Sequence, residues 1–76
     1  MIIKQGANAD GYYYINGVKQ YAYQLIRDDN GDFYFIGDYN KYIVNKTMYI
    51  SAARLEGTGL KAGVYAFDAN GKMIIN

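Results

Sequence analysis

The chain has 76 residues, eight Lys and Arg against seven Asp and Glu for a net charge of +1, no Cys and no His. This length allows one domain with a small core, and the missing Cys excludes a disulfide scaffold or a cysteine-based zinc site. The missing His removes the commonest metal ligand and general base, and a charge near zero sets up no field that would gather nucleic acid or anionic lipid. Apolar runs are only a few residues long, against the roughly 20 of a membrane-spanning helix, so membrane insertion is not expected. Met1-Ile2-Ile3-Lys4 is too short for the apolar stretch of a secretory signal, so the signal of an exported parent protein would lie outside this chain. The anomaly is tyrosine: ten Tyr with three Phe and no Trp. Tyrosine favours strands and offers a flat apolar ring with a polar tip, which suits half-buried surfaces and ligand platforms alike.

In chain order, Asn16-Gly17, Asn30-Gly31 and Asn70-Gly71 each separate segments rich in apolar or aromatic residues. Asn-Gly is the strongest short hairpin signal, because a two-residue type I′ turn needs φ > 0 at both central positions. The first predicted hairpin pairs Tyr12 to Ile15 with a long strand from Val18 to Ile26. The second pairs the end of that strand with Phe33 to Ile36, and the third pairs Val64 to Phe67 with Lys72 to Ile75. Between them, Tyr42 to Val44 and Thr47 to Ala53 read as another pair turning at Asn45-Lys46. Ile50 to Leu55 could make one short turn before Gly57-Thr58-Gly59, but strand is the preferred reading. The predicted fold is all-β, an antiparallel meander of stacked hairpins forming a solenoid-like repeat module over residues 1–76.

An internal repeat underlies the hairpins. Gly11-Tyr12-Tyr13-Tyr14-Ile15-Asn16, Asp32-Phe33-Tyr34-Phe35-Ile36-Gly37 and Gly63-Val64-Tyr65-Ala66-Phe67-Asp68 share one pattern, stepping by 21 and then 31 residues. A hairpin with one apolar face cannot bury it alone, so stacking successive hairpins is the natural way to a continuous core. The opening Met1-Ile2-Ile3 returns as Met73-Ile74-Ile75, which suggests one unit cut from a tandem array. Exposed edge strands are then expected to drive self-association, with Met1 to Lys4 or Met73 to Asn76 at the contact.

Strand side chains alternate, so Tyr13 shares a face with Ile15, Tyr34 with Ile36 and Tyr65 with Phe67. This pairing stays aromatic and apolar in all three copies and is assigned to the core. The opposite face leaves Tyr12, Tyr14, Tyr21 and Tyr23 as candidate ligand-binding rings, a platform on which sugar rings could stack through their C–H faces. The competing reading is cross-strand aromatic pairing that only supports the sheet. A groove between those rings and polar neighbours such as Gln24 or Asn16 would favour binding; rings packed under another hairpin would favour a spacer.

Catalysis needs a positioned acid, base or nucleophile, and none stands out. Asp10, Asp28, Asp29, Asp32, Asp38 and Asp68 fall at predicted turns, where an Asx side chain bonds nearby backbone N–H groups, and Glu56 precedes a Gly-rich loop. Asp28-Asp29-Asn30-Gly31-Asp32 begins like a calcium loop, but its sixth and twelfth positions hold Phe33 and Tyr39 instead of Gly and Glu. Gly57-Thr58-Gly59 lacks the Lys and helix of a phosphate cradle. The six Lys are scattered with no basic stripe among the aromatics, so single-stranded nucleic acid is weakly supported. No catalytic residue, metal ligand or cofactor is assigned, and the chain is expected not to be an enzyme.

The segment Gly63-Val64-Tyr65-Ala66-Phe67-Asp68-Ala69-Asn70-Gly71-Lys72-Met73 resembles the hairpin of the cell-wall-binding repeats of Gram-positive surface proteins, the choline-binding and glucan-binding repeats. Gly11 to Gly17 and Asp32 to Ile36 look like further copies, and the resemblance covers about half the chain. It implies a hairpin solenoid, a secreted or cell-surface location, and attachment to a wall polysaccharide or glucan. It does not transfer the ligand: where that family places the first strand Trp of its choline cage, this chain has Tyr12, Phe33 and Val64. The expected function is a non-catalytic module binding a wall polymer through exposed tyrosines; the alternative is a structural spacer or protein-interaction repeat with no glycan ligand.

Overall fold

Turn chemistry sets the course of this chain. A computed structural model describes residues 3–75, and among them it is all-β apart from one three-residue 3-10 turn, Asp38–Asn40. Strands β1 (Gly6–Ala7), β2 (Tyr13–Ile15) and β3 (Val18–Lys19) form one antiparallel sheet in that order. Strands β4 (Gln24–Arg27) and β5 (Phe33–Ile36) pair antiparallel, as do β6 (Lys46–Ile50) and β7 (Gly63–Phe67).

Asn16-Gly17 is the two-residue hairpin turn that its sequence predicts. Ile15 pairs with Val18, with Asn16 at φ 50 and Gly17 at φ 81. The other two Asn-Gly pairs sit inside a longer loop of five residues, Asp28–Asp32 and Asp68–Lys72. In each, the first Asp accepts the N–H groups of the third and fifth residues on Oδ1, at 2.9 and 2.9 Å in one loop and 2.8 and 2.9 Å in the other. The fourth residue, a Gly at φ 85 or φ 87, donates its N–H to the carbonyl of the first, and the loop is closed by the first N–H bonding the fifth carbonyl. The same two closing bonds recur in Asn8–Tyr12 and in Gly37–Lys41, where Asn40 at φ 61 stands at the position of the Gly. One local device thus turns the chain four times.

β5 organises the core. It is buried on both faces, and its side chains divide by parity, as a strand of period two requires. Phe33 and Phe35 join Ile50, Leu55, Phe67 and Met73 in one cluster, while Tyr34 and Ile36 join Tyr13 and Ile26 in a second. Neighbouring segments dock on this strand: Ile36 bridges to Tyr42, Ile43 N–H donates to Phe35 O at 2.9 Å, and Met73 N–H donates to Phe33 O at 2.8 Å. The molecule is elongated, 39 × 23 × 21 Å.

Several expectations give way to tertiary pairing. The long strand Val18 to Ile26 is two strands in two sheets, because Ala22 N–H is taken by Asn40 Oδ1 at 3.0 Å and the chain leaves the first sheet after Gln20. Tyr42 to Val44 does not pair with Thr47 to Ala53; the Thr47 strand ends at Ile50 and pairs with β7 instead. Beyond it, the remainder of Ile50 to Leu55 makes a short turn instead of continuing as strand: Ser51 O accepts Arg54 and Leu55 N–H groups, and Leu55 is 2 % exposed beneath it. The third hairpin narrows to a bridge between Phe67 and Met73 and one further bond, Ile74 N–H to Ala66 O at 2.8 Å. Core assignments hold for Tyr13, Tyr34, Ile36 and Phe67, whereas Ile15 is 38 % exposed at the hairpin tip and Tyr65 is half-buried. Phe33 and Phe35, expected on the opposite face, are equally buried because β5 has a core on each side.

Of the termini matched in sequence, Met1, Ile2 and Asn76 lie outside the described residues. Met73 is buried in the first cluster instead of lying free at an edge. Lys4 O accepts Gly17 N–H at 2.8 Å, tying the N-terminal segment to the first hairpin.

Candidate functional site

The four candidate tyrosines fall into two separate places. Tyr14 is buried, 9 % exposed, because β2 is the middle strand of its sheet, and its hydroxyl donates to Asp10 Oδ2 at 2.8 Å. Lys4 Nζ lies 4.9 Å from the Tyr14 ring centroid and 3.1 Å from Asp10 Oδ2. The Tyr12 N–H, the Tyr14 hydroxyl and Lys4 together hold the Asp10 carboxyl well below its usual range, at about 2, despite an opposing desolvation effect. Tyr12 is half-buried, with Lys19 Nζ 3.9 Å and Lys41 Nζ 5.7 Å from its ring centroid. The expectation that Tyr12 and Tyr14 form an open platform is therefore corrected for this end of the molecule: one ring is buried, and lysines cover the other by cation–π contact.

Tyr21 and Tyr23 remain open, at 59 % and 57 % exposed. Gln24 serves the backbone rather than a groove, its amide donating to Tyr21 O at 2.9 Å, and Asn16 is spent in the hairpin turn. Tyr23 lines a groove of about 320 Å³ together with Phe35, Asp38, Lys46, Met48 and Arg54. Its ring stacks on Phe35, centroids 6.5 Å apart and planes at 27°, and its hydroxyl donates to Asp38 Oδ1. That bond to Asp38, and its negative charge, push the Tyr23 phenol up from its ordinary value. On the other side, the Arg54 guanidinium sits 5.3 Å from the Phe35 centroid, and its Nη1 donates to Tyr23 O at 3.0 Å.

Each part comes from a different element. β5 supplies Phe35 as a rigid backing, the Gly37–Lys41 loop supplies Asp38, and the Ser51 turn supplies Arg54. The result is an aromatic face held at fixed tilt between a carboxylate and a guanidinium, over an apolar floor of Phe35 and Met48. Such an arrangement offers a stacking surface for an apolar C–H face and donors and acceptors for hydroxyl groups at its rim.

Reading the sequence finds Tyr23 but misses Asp38 and Arg54. The turn cluster Gly37-Asp38-Tyr39-Asn40 after an apolar run was a signal for the first; nothing in the sequence marks the second, which lay in a segment preferred as strand. Among the described residues no group of three or more His, Cys, Asp or Glu is placed to hold a metal ion, and no helix is long and apolar enough to cross a membrane. Comparison with protein-family models, with curated proteins and with solved structures finds no match.

Proposed function

We infer that this chain is a non-catalytic cell-surface module that binds a wall polysaccharide or glucan, and that the groove at Tyr23 is where it does so. The observation that carries the reading is the Tyr23 ring: more than half exposed, yet fixed from behind by Phe35 and from the side by Asp38. An exposed aromatic ring that stays in one orientation loses little freedom when a sugar ring stacks on it. Asp38 and Arg54 flank it with the charged acceptor and donor that hydroxyl-rich ligands pair with.

The test is retention on insoluble peptidoglycan and on immobilised glucans. Wild type is expected to be retained and Tyr23→Ala to lose about ten-fold in affinity, the cost of one stacking contact of roughly 1.4 kcal/mol. Tyr23 is exposed and outside both core clusters, so the variant is expected to keep its fold. Equal retention of both proteins, or retention of neither, would refute the reading.

A second reading, a protein-interaction repeat, is favoured by one face of the β6–β7 sheet. Tyr49 pairs with Val64 there, at 63 % and 70 % exposed, and Ile74 beside them is 47 % exposed. Under that reading Tyr49→Lys would abolish association while Tyr23→Ala would leave it intact.

A further inference from the structure

A second concave site lies away from the Tyr23 groove. A cavity of about 270 Å³ is bounded by the first sheet and the β4–β5 hairpin, with Tyr13, Tyr34, Ile15 and Ile26 in its walls and Asp28 and Asp29 at its rim. Tyr13 and Tyr34 are among the best buried residues of the chain, 2 % and 6 % exposed, with ring centroids 5.0 Å apart. The hydroxyls of Tyr14, Tyr23, Tyr42 and Tyr65 each donate to a protein oxygen. Those of Tyr13 and Tyr34 have no partner among the described residues. Among the described residues no buried side-chain nitrogen or oxygen lacks a partner, so both hydroxyls reach solvent, and both residues line the cavity. A solvent-reached hydroxyl that no protein atom bonds is free to pair with a molecule that enters the cavity.

The surroundings select what that is. Burial, followed by the charges of Asp28 and Asp29, raises the Tyr13 phenol above its ordinary value. Burial and then Asp28 push Tyr34 up to about 12. At neutral pH both phenols therefore keep their protons, and each can donate one hydrogen bond and accept others. Two carboxylates at the rim against the single guanidinium of Arg27, which is drawn over the Phe33 ring at 5.3 Å, favour a cation over an anion. The walls of Ile15 and Ile26 suit an apolar ring face, and the volume lies below the range of drug-sized pockets, so one small ring fits and a chain does not.

We propose that this cavity binds a single amino-bearing sugar ring, its hydroxyls paired with Tyr13 and Tyr34 and its ammonium facing Asp28 and Asp29. The proposal rests on the reading of the chain as a glycan-binding module and adds the class of sugar. The test is a titration of the whole chain with D-glucosamine, N-acetyl-D-glucosamine and D-glucose, followed by NMR of the tyrosine ring protons. D-glucosamine is expected to shift the Tyr13 and Tyr34 rings and to bind about ten-fold more tightly than either neutral sugar, the worth of one charge-assisted contact. Asp29 is exposed, so Asp29→Asn keeps the fold while removing that preference. Tyr34→Phe is expected to weaken all three sugars about equally, since it removes a neutral hydrogen bond. Equal binding of the three sugars, or unmoved Tyr13 and Tyr34 resonances, overturns the proposal. If those resonances stay fixed while the chain is still retained on glycans through Tyr23, the proposal fails and the groove reading stands.

Discussion

Ile36→Ala tests whether β5 is the wall that both core clusters share. Ile36 has no exposed surface and packs with Tyr13, Ile26 and Tyr34. The substitution deletes three carbons, worth about 0.8 kcal/mol each in transfer free energy, or about 2.4 kcal/mol. The hole cannot collapse easily, because Ile36 also bridges to Tyr42 and its strand is clamped on both sides. A cavity term then brings the expected loss to about 3–4 kcal/mol, within the ~2–5 kcal/mol seen for such truncations. A domain of this length has a total stability of about 4–11 kcal/mol, so the variant gives up a large share of it. Urea unfolding followed by far-ultraviolet and tyrosine near-ultraviolet circular dichroism reads the effect. With a slope of about 1 kcal/mol per molar urea, the midpoint falls by about 3–4 M. Since β5 belongs to both clusters, the two signals should change together. A loss under about 1 kcal/mol, or two separated transitions, would refute the shared-wall account.

Gly71→Ala should cost more than about 1 kcal/mol, because φ 87 disfavours any side chain and the new Cβ would stand 2.7 Å from Tyr42 Cδ2; an unchanged urea midpoint would count against this geometry. Asp68→Ala leaves the N–H groups of Asn70 and Lys72 without their acceptor and should cost about 1–2 kcal/mol, as loss of a capping side chain does, measured the same way. Stability should also fall at both ends of the pH range. Tyr34, raised from 10 to about 12, holds its proton in the folded chain where the unfolded chain has lost it. Its contribution is therefore intact below pH 10 and disappears as pH rises to 12, and Tyr34→Phe should flatten that limb of the urea midpoint plotted against pH. Asp10, lowered from 3.8 to about 2, acts in the opposite sense. Its contribution is present above pH 3.8 and lost as pH falls towards 2, a limb that Asp10→Asn should remove.

What the sequence made legible is what depends on neighbours in the chain. Asn16-Gly17 turns as expected because a two-residue hairpin needs only its own two φ angles. Tyr13, Tyr34 and Phe67 are buried as expected, but alternation alone does not set the buried set, because Tyr14, Phe33 and Phe35 on the opposite parity are buried too. The long strand Val18 to Ile26 was misread because its break is made by Asn40, 18 residues away from Ala22. The partner of β6 was misread for a similar reason. Its choice of β7 over Tyr42 to Val44 goes with the burial of Leu55 in the connecting turn, a contact no short window contains. The site divides in the same way. Tyr21 and Tyr23 were recognisable as exposed rings, whereas Tyr12 and Tyr14 acquired lysine covers only on folding, and Arg54 reached Tyr23 across 31 positions.

The five-residue loop that turns the chain four times leaves one position unused. In Asp28–Asp32 and Asp68–Lys72 the first residue caps, the fourth supplies the left-handed backbone, and the third and fifth donate their N–H groups to the capping carboxylate. The second residue is asked for nothing. In the four loops that residue is Ala9, Asp29, Asp38 and Ala69. The two aspartates stand at the rims of the two concave sites, Asp29 at one and Asp38 at the other. The hairpin tip therefore works as a socket whose frame is held by the backbone, while a single interchangeable residue sets the local charge. Selection could retune the charge at one tip at a time without reopening the question of how the chain folds.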